Sequence, residues 1–71
     1  MTKSIKDKFG KRIRDLRKQK GWSQEELADK VDLHRTYIGA IERGEQSVSI
    51  DKIEALAKGF KISIEEMFRG L

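Results

Sequence analysis

An all-α domain of five short helices is the fold class this sequence predicts, on three observations. Apolar residues recur at helical spacing along the chain, with no strand-period alternation to compete. Ser-x-x-Glu segments and glycines bracket those runs as helix starts and stops. Proline is absent.

In the first helix Ile5, Phe9, Ile13 and Leu16 step by 4, 4 and 3, which predicts a helix over residues 4–20 that stops at Gly21. Ser23-Gln24-Glu25-Glu26 then has the form of a capping box, the serine hydroxyl accepting from the amide three residues on and the glutamate reaching back. Trp22 just before the cap and Leu27 just inside the helix add a hydrophobic staple, so Trp22 reads as staple and core rather than as a stacking platform. The second helix spans residues 24–31 and buries Leu27, Ala28 and Val31. A third begins after Leu33, buries Ile38 and Ile41, and ends at Gly44, the residue type favoured in a left-handed cap. Ser49 caps a fourth, whose inward face is Ile50, Ile53, Leu56, Ala57 and Phe60. Ser63-Ile64-Glu65-Glu66 is a second capping box and starts a short fifth helix carrying Met67 and Phe68.

Seventy-one residues make one small domain, expected to occupy all of residues 1–71. With 37% hydrophobic and 39% charged residues the chain suits a compact helical domain better than a disordered one. No apolar run approaches the roughly 18 residues of a membrane span. The first residues are polar and basic and lack the apolar stretch of a secretory signal. Without cysteine there is no disulfide framework and no cysteine metal site, so the expected compartment is the reducing cytoplasm. The net charge of +4 is unevenly spread. Residues 1–20 hold nine Lys/Arg against Asp7 and Asp15, whereas residues 21–71 hold seven against ten Asp/Glu. That basic first segment is compatible with a polyanionic partner. A solvated helix face carries the same charges, and charge alone does not choose between them.

The spacing of the second and third helices is more selective. Two helices of eight to ten residues are joined by only three or four, which suits a helix-turn-helix crossing near a right angle. Small Ala28 allows close approach, and Leu33, Ile38 and Ile41 pin the third helix to the domain. Its polar front, His34-Arg35-Thr36-Tyr37, is thereby left outward, where a recognition helix meets base edges in a major groove.

The segment SQEELADKVDLHRTYIGAIERGEQSVSIDKIEALA resembles the helix-turn-helix domain of the phage-repressor and Cro-like transcription regulators of the Xre family. It is similar above all to the small controller proteins of restriction–modification systems. The resemblance covers about residues 9–68 and rests on Ser23-Gln24, Leu27-Ala28, Ile38, Ile41 and Glu42-Arg43-Gly44 in joint spacing. It implies a five-helix, lambda-repressor-like domain, with the helix-turn-helix at about residues 24–43 and a dimerisation region at about residues 60–71. One position departs: the family commonly has glycine where this chain has Asp32, in a turn that needs left-handed backbone. Aspartate tolerates that conformation better than most residues, so the expected consequence is a small stability cost.

The resemblance also implies roles. Arg35 is expected to read a base, since its fork matches guanine O6 and N7, and Thr36 to meet a base edge or a thymine methyl. Ala40 aligns with a base-contacting position of the family, and with Gly39 is expected on the exposed side, where small residues let the helix sit deep in the groove. Tyr37 could meet a phosphate or a base, or pack on the domain surface. His34 is expected to cap the third helix or touch a phosphate; as the only histidine in a chain without cysteine it is no metal ligand, and no metal or cofactor is expected. Gln24 is the family's phosphate-binding residue, at a helix N-terminus that already favours an anion, and Arg43, Gln46 and Ser47 correspond to a second phosphate clamp. Arg17 and Glu42 look like the family's structural ion pair.

A domain this small reads few base pairs, so a homodimer on a pseudo-palindromic double-stranded DNA operator is the expected remedy. The apolar residues Phe60, Ile62, Ile64, Met67, Phe68 and Leu71 exceed what one short helix can bury, and are assigned to dimerisation, with no separate oligomerisation segment expected beyond them. RNA polymerase would be a further partner of an activator. An antitoxin or protein-interaction module using the same apolar end is the alternative. An enzyme is not expected: there is one histidine, no cysteine and no phosphate-binding glycine loop.

Overall fold

Five helices follow one another through residues 4–71, the part of the chain described by the computed structural model. They are α1 (Ile5–Gln19), α2 (Gln24–Val31), α3 (Arg35–Glu42), α4 (Ile50–Phe60) and α5 (Ile64–Met67), and no strand occurs among the described residues. Serine caps start four of them. Ser4 accepts from the Asp7 amide while Asp7 returns the bond to the Ser4 amide, and Ser23 and Glu26 do the same for α2. Ser49 accepts from Lys52 N–H at 3.3 Å, and Ser63 from Glu66 N–H at 3.0 Å.

Helix ends are equally local in cause. Past α3 the Gly44 N–H donates to Ile41 O at 3.0 Å and Glu45 N–H to Ala40 O at 2.9 Å, with Gly44 at φ +74. This is a Schellman stop, which needs left-handed backbone. α4 ends with Lys61 at φ 60, a conformation that costs a non-glycine residue energy.

The helices enclose one core. Ile13, Leu27, Ile38, Ile41, Leu56, Phe60 and Met67 are the large side chains wholly inside it, each contributing about 1.5–3 kcal/mol by burial. Trp22 stacks on Phe60 with ring centroids 5.8 Å apart, and Phe68 on Phe9 at 5.1 Å. Backbone meets backbone at Gly10, where a Cβ would collide with the Ile41 carbonyl, so α1 lies directly on the last turn of α3. Arg12 then crosses to α5, donating to Glu66 O at 2.8 Å and Met67 O at 3.1 Å. The Glu66 carbonyl also accepts from Arg69 N–H at 3.2 Å, whereas Met67 lies at the end of α5, where a helix leaves its carbonyls without an intrahelical donor. No described helix is long and apolar enough to cross a membrane.

Four expectations are corrected here. Ile50, expected on the inward face of the fourth helix, carries the right helical phase but stands in the first turn of α4, where no neighbour covers it, and is 81% exposed. Glu66 does not complete the capping box of α5, because its carboxylate turns to Arg69 Nε at 2.9 Å. Gly39 is buried rather than exposed, because the side chains of Gln24 and Arg43 lie over it. Phe60 and Met67 have no exposed surface; both belong to the monomer core and leave the set assigned to dimerisation.

Candidate nucleic-acid interface

The turn between α2 and α3 is built at Asp32, with φ 57 and ψ 44 in the left-handed region. Its N–H donates to Ala28 O, as does Leu33 N–H at 3.0 Å, so α2 ends abruptly and the chain redirects within three residues. His34 is the N-cap of α3, its Nδ1 accepting from Thr36 N–H at 3.1 Å. That bond makes Nδ1 the unprotonated nitrogen of the ring. α3 is held by Ile38 and Ile41 in the core, which leaves Arg35 and Thr36 exposed on its first turn.

Arg35 is not free in this arrangement. A terminal nitrogen of its guanidinium lies 2.9 Å from Glu25 Oε2 on α2, both side chains being about two-thirds exposed (66% and 67%). An ion pair this open is worth at most about 1 kcal/mol. It orients the fork yet yields readily to a better partner. Tyr37 is half-buried, with its hydroxyl 3.4 Å from Ser47 O and Lys52 Nζ 5.4 Å from the ring centre. Burial raises its phenol above the ordinary 10.0. Ala40 is half-buried.

Below this front lies a charged network. Arg17 Nε donates to Glu42 Oε2 at 2.7 Å, a terminal nitrogen donates to Oε1 at 3.0 Å, and the other donates to Trp22 O at 2.9 Å. With side-chain exposures of 12% and 4%, the pair is largely out of water. The hydrogen bond to Glu42 raises the Arg17 guanidinium above its ordinary value, against a smaller opposing effect of burial. Gln24 Nε2 donates to the same carboxylate at 3.1 Å, so the first residue of α2 is tethered to the last of α3. Gly39 lies beneath the side chains of Gln24 and Arg43, which is why it is buried; a Cβ there would come within 3.1 Å of an Arg43 terminal nitrogen. Arg43 Nε pairs with Glu45 Oε1 at 3.1 Å, and Gln46 Nε2 donates to Ser47 O at 3.2 Å, with Arg43, Gln46 and Ser47 all exposed.

Around α5, Ile64 is 44% exposed while Ile62, Phe68 and Leu71 are half-buried. Phe68 also borders an open groove of about 210 Å³ whose apolar wall is Ile5, Phe9, Val48 and Ile53 and whose rim includes Lys6, Gln46 and Ser47. Sequence reasoning did not find the Arg35–Glu25 contact, the Gln24–Glu42 bond or the Arg12 bridge. The first two join side chains on different helices and leave no local signal. The Ser4–Asp7 cap could have been found, since Ser-x-x-Asp stands at the start of the first apolar run.

The helix-turn-helix family pattern matches residues 13–67. Control protein C.BamHI of Bacillus amyloliquefaciens is 44% identical over 68 residues, covering 94% of this chain and 84% of that protein. Control protein C.MunI of Mycoplasma is 42% identical, with 90% and 88% covered. Among solved structures, the restriction–modification controller protein C.AhdI from Aeromonas hydrophila superposes with a TM-score of 0.87 at 45% identity, covering 90% of this chain and 97% of that one. The controller protein C.Esp1396I, solved as a tetramer in complex with its natural 35 base-pair operator, superposes at 0.85 with 36% identity, covering 94% and 88%.

Proposed function

Because this chain belongs to the helix-turn-helix family, among the control proteins of restriction–modification systems, we propose that it regulates transcription by binding a two-fold-symmetric DNA operator as a homodimer. The observation that carries this reading is the exposed first turn of α3, with Arg35 and Thr36 presented beside the capped and tethered N-terminus of α2. On this reading Arg35, Thr36, Tyr37 and Ala40 face bases, while Gln24, His34, Arg43, Gln46 and Ser47 hold the two flanking backbones. Gln24 would then exchange its bond to Glu42 for a phosphate. The dimer surface is built on Ile64, with the partly exposed Ile62, Phe68 and Leu71 around it. Two recognition helices docking on one face of a duplex require half-sites about one turn, roughly 34 Å, apart. The cytoplasm is the compartment in which such a regulator works, and RNA polymerase is the further partner an activator would engage.

Selection of bound duplexes from a random pool, with sedimentation of the free protein at micromolar concentration, tests both halves of the proposal. An enriched inverted repeat and a dimer that Ile64→Asp dissociates without unfolding are expected. A pool with no enriched sequence would remove the reading of α3 as a recognition helix. A monomeric parent would remove the symmetric operator.

A further inference from the structure

Beside the N-terminus of α2 lies a recess of about 170 Å³ lined by Arg14, Arg17, Gln24, Glu42 and Arg43. Arg17 and Glu42 cancel each other in their close pair and form a neutral part of the lining. The sign of the recess is therefore set by Arg14 and Arg43. Arg43 is held by Glu45 in an exposed pair with both side chains more than half open to water, a contact that costs little to exchange. Arg14 is exposed and has no ion-pair partner among the described residues, in contrast to its neighbour Lys11, which pairs with Asp15 at 3.0 Å. Gln24 opens α2, and its amide is one of those at a helix start that have no intrahelical acceptor.

We propose that Arg14 and Arg43 close this recess on a single phosphodiester oxyanion of duplex DNA, so that α1 contributes a backbone clamp of its own. The inference rests on the DNA-binding reading above and extends it to a helix outside the helix-turn-helix. Arginine suits the task because its planar fork gives a phosphate two parallel charge-assisted hydrogen bonds. Being a phosphate contact, the clamp adds affinity and register without reading sequence.

The alternative is that Arg14 only adds to the general positive field. Lys58 gives a control for that, since it carries the same charge in a separate recess with Lys20, Trp22, Lys30 and Lys61. The test titrates the parent, Arg14→Ala, Arg14→Lys and Lys58→Ala with a mixed-sequence duplex of about 20 base pairs, at salt concentrations from roughly 50 to 200 mM. Arg14→Ala should weaken binding about tenfold or more. It should also flatten the salt dependence by about 0.9 for each lost contact, close to two units in a dimer. Arg14→Lys should restore most of the slope, because a point charge still displaces counterions, but only part of the affinity. Lys58→Ala should leave the slope within a few tenths. Alanine is the best helix former, so Arg14→Ala should keep the parent melting temperature and its binding defect is not one of folding. Equal flattening by Arg14→Ala and Lys58→Ala, or none by Arg14→Ala, would overturn the clamp while leaving the DNA-binding reading intact. A parent that binds no duplex would sink both.

Discussion

Gln24 and Arg17 share one acceptor, the Glu42 carboxylate, at 3.1 Å for the amide and 2.7 and 3.0 Å for the guanidinium. One side chain at the end of α3 thereby fixes both the start of α2 and the end of α1. The three elements of the candidate interface meet at that carboxylate.

Removing it should destabilise the fold. Glu42→Ala leaves the Arg17 guanidinium, 12% exposed, without its counter-charge. Breaking a buried pair on one side costs about 3 kcal/mol or more. A domain of this size should melt at least 10 °C lower, at roughly 4–8 °C per kcal/mol. The double change Arg17→Met with Glu42→Leu should recover most of that loss, because no charge is then stranded. Thermal unfolding followed by circular dichroism measures both, and an unaltered melting curve for Glu42→Ala would show that the pair contributes nothing.

Two left-handed residues offer the opposite change. Asp32 at φ 57 and Lys61 at φ 60 occupy backbone that glycine adopts without steric cost. Lys61→Gly should raise stability by up to about 1 kcal/mol. Asp32→Gly should gain less, since the short aspartate side chain is better tolerated in that region. Urea unfolding of the two variants ranks them directly; a loss of stability in Lys61→Gly would mean that the Lys61 side chain outweighs its backbone strain.

The chain has one tyrosine, so its ionisation can be followed without interference from a second phenol. Burial favours the neutral form of Tyr37 and raises its pKa above the ordinary 10.0. The folded state thus holds the proton more tightly than the unfolded one. This contribution to stability is fully present below pH 10.0 and is lost as pH rises through the folded value. Tyrosinate absorbance in the folded protein should rise with a midpoint above that of the urea-unfolded chain. Coincident midpoints would mean that the ring is solvated.

What could be read in the sequence follows the range of the forces involved. Ser23-x-x-Glu26 and Gly44 act within one turn, so the bounds of α2 and the stop of α3 are visible in a short window. The left-handed turn at Asp32 is equally local. Helical phase, by contrast, names a face without saying what covers it: Ile50 has the phase of a core residue and is exposed, Phe60 has the same phase and fills the core, and Met67 looks like surplus and is wholly buried. In the candidate interface, the N-cap at His34 is local and legible. The Glu25 partner of Arg35 is not, since ten residues and a change of helix separate the two.

That Glu25 contact bears on how the front of α3 would discriminate sequence. On the proposed reading, Arg35 would give up an exposed ion pair worth at most about 1 kcal/mol on meeting DNA. A matched guanine edge returns roughly 1–3 kcal/mol of discrimination against a wrong base, so the exchange is favourable only on the right sequence. Arg43 would give up a similar exposed pair for a phosphate, which is the same on every sequence. Arg35→Ala should therefore weaken operator binding by one to two orders of magnitude more than scrambled-duplex binding, and relax preference at one symmetric base pair per half-site. Arg43→Ala should weaken both duplexes alike and flatten the salt dependence by about 0.9 per lost contact. Paired titrations of operator and scrambled duplex at several salt concentrations separate the two effects. An unchanged specificity ratio in Arg35→Ala would move base readout to Tyr37 or to the deformability of the DNA itself.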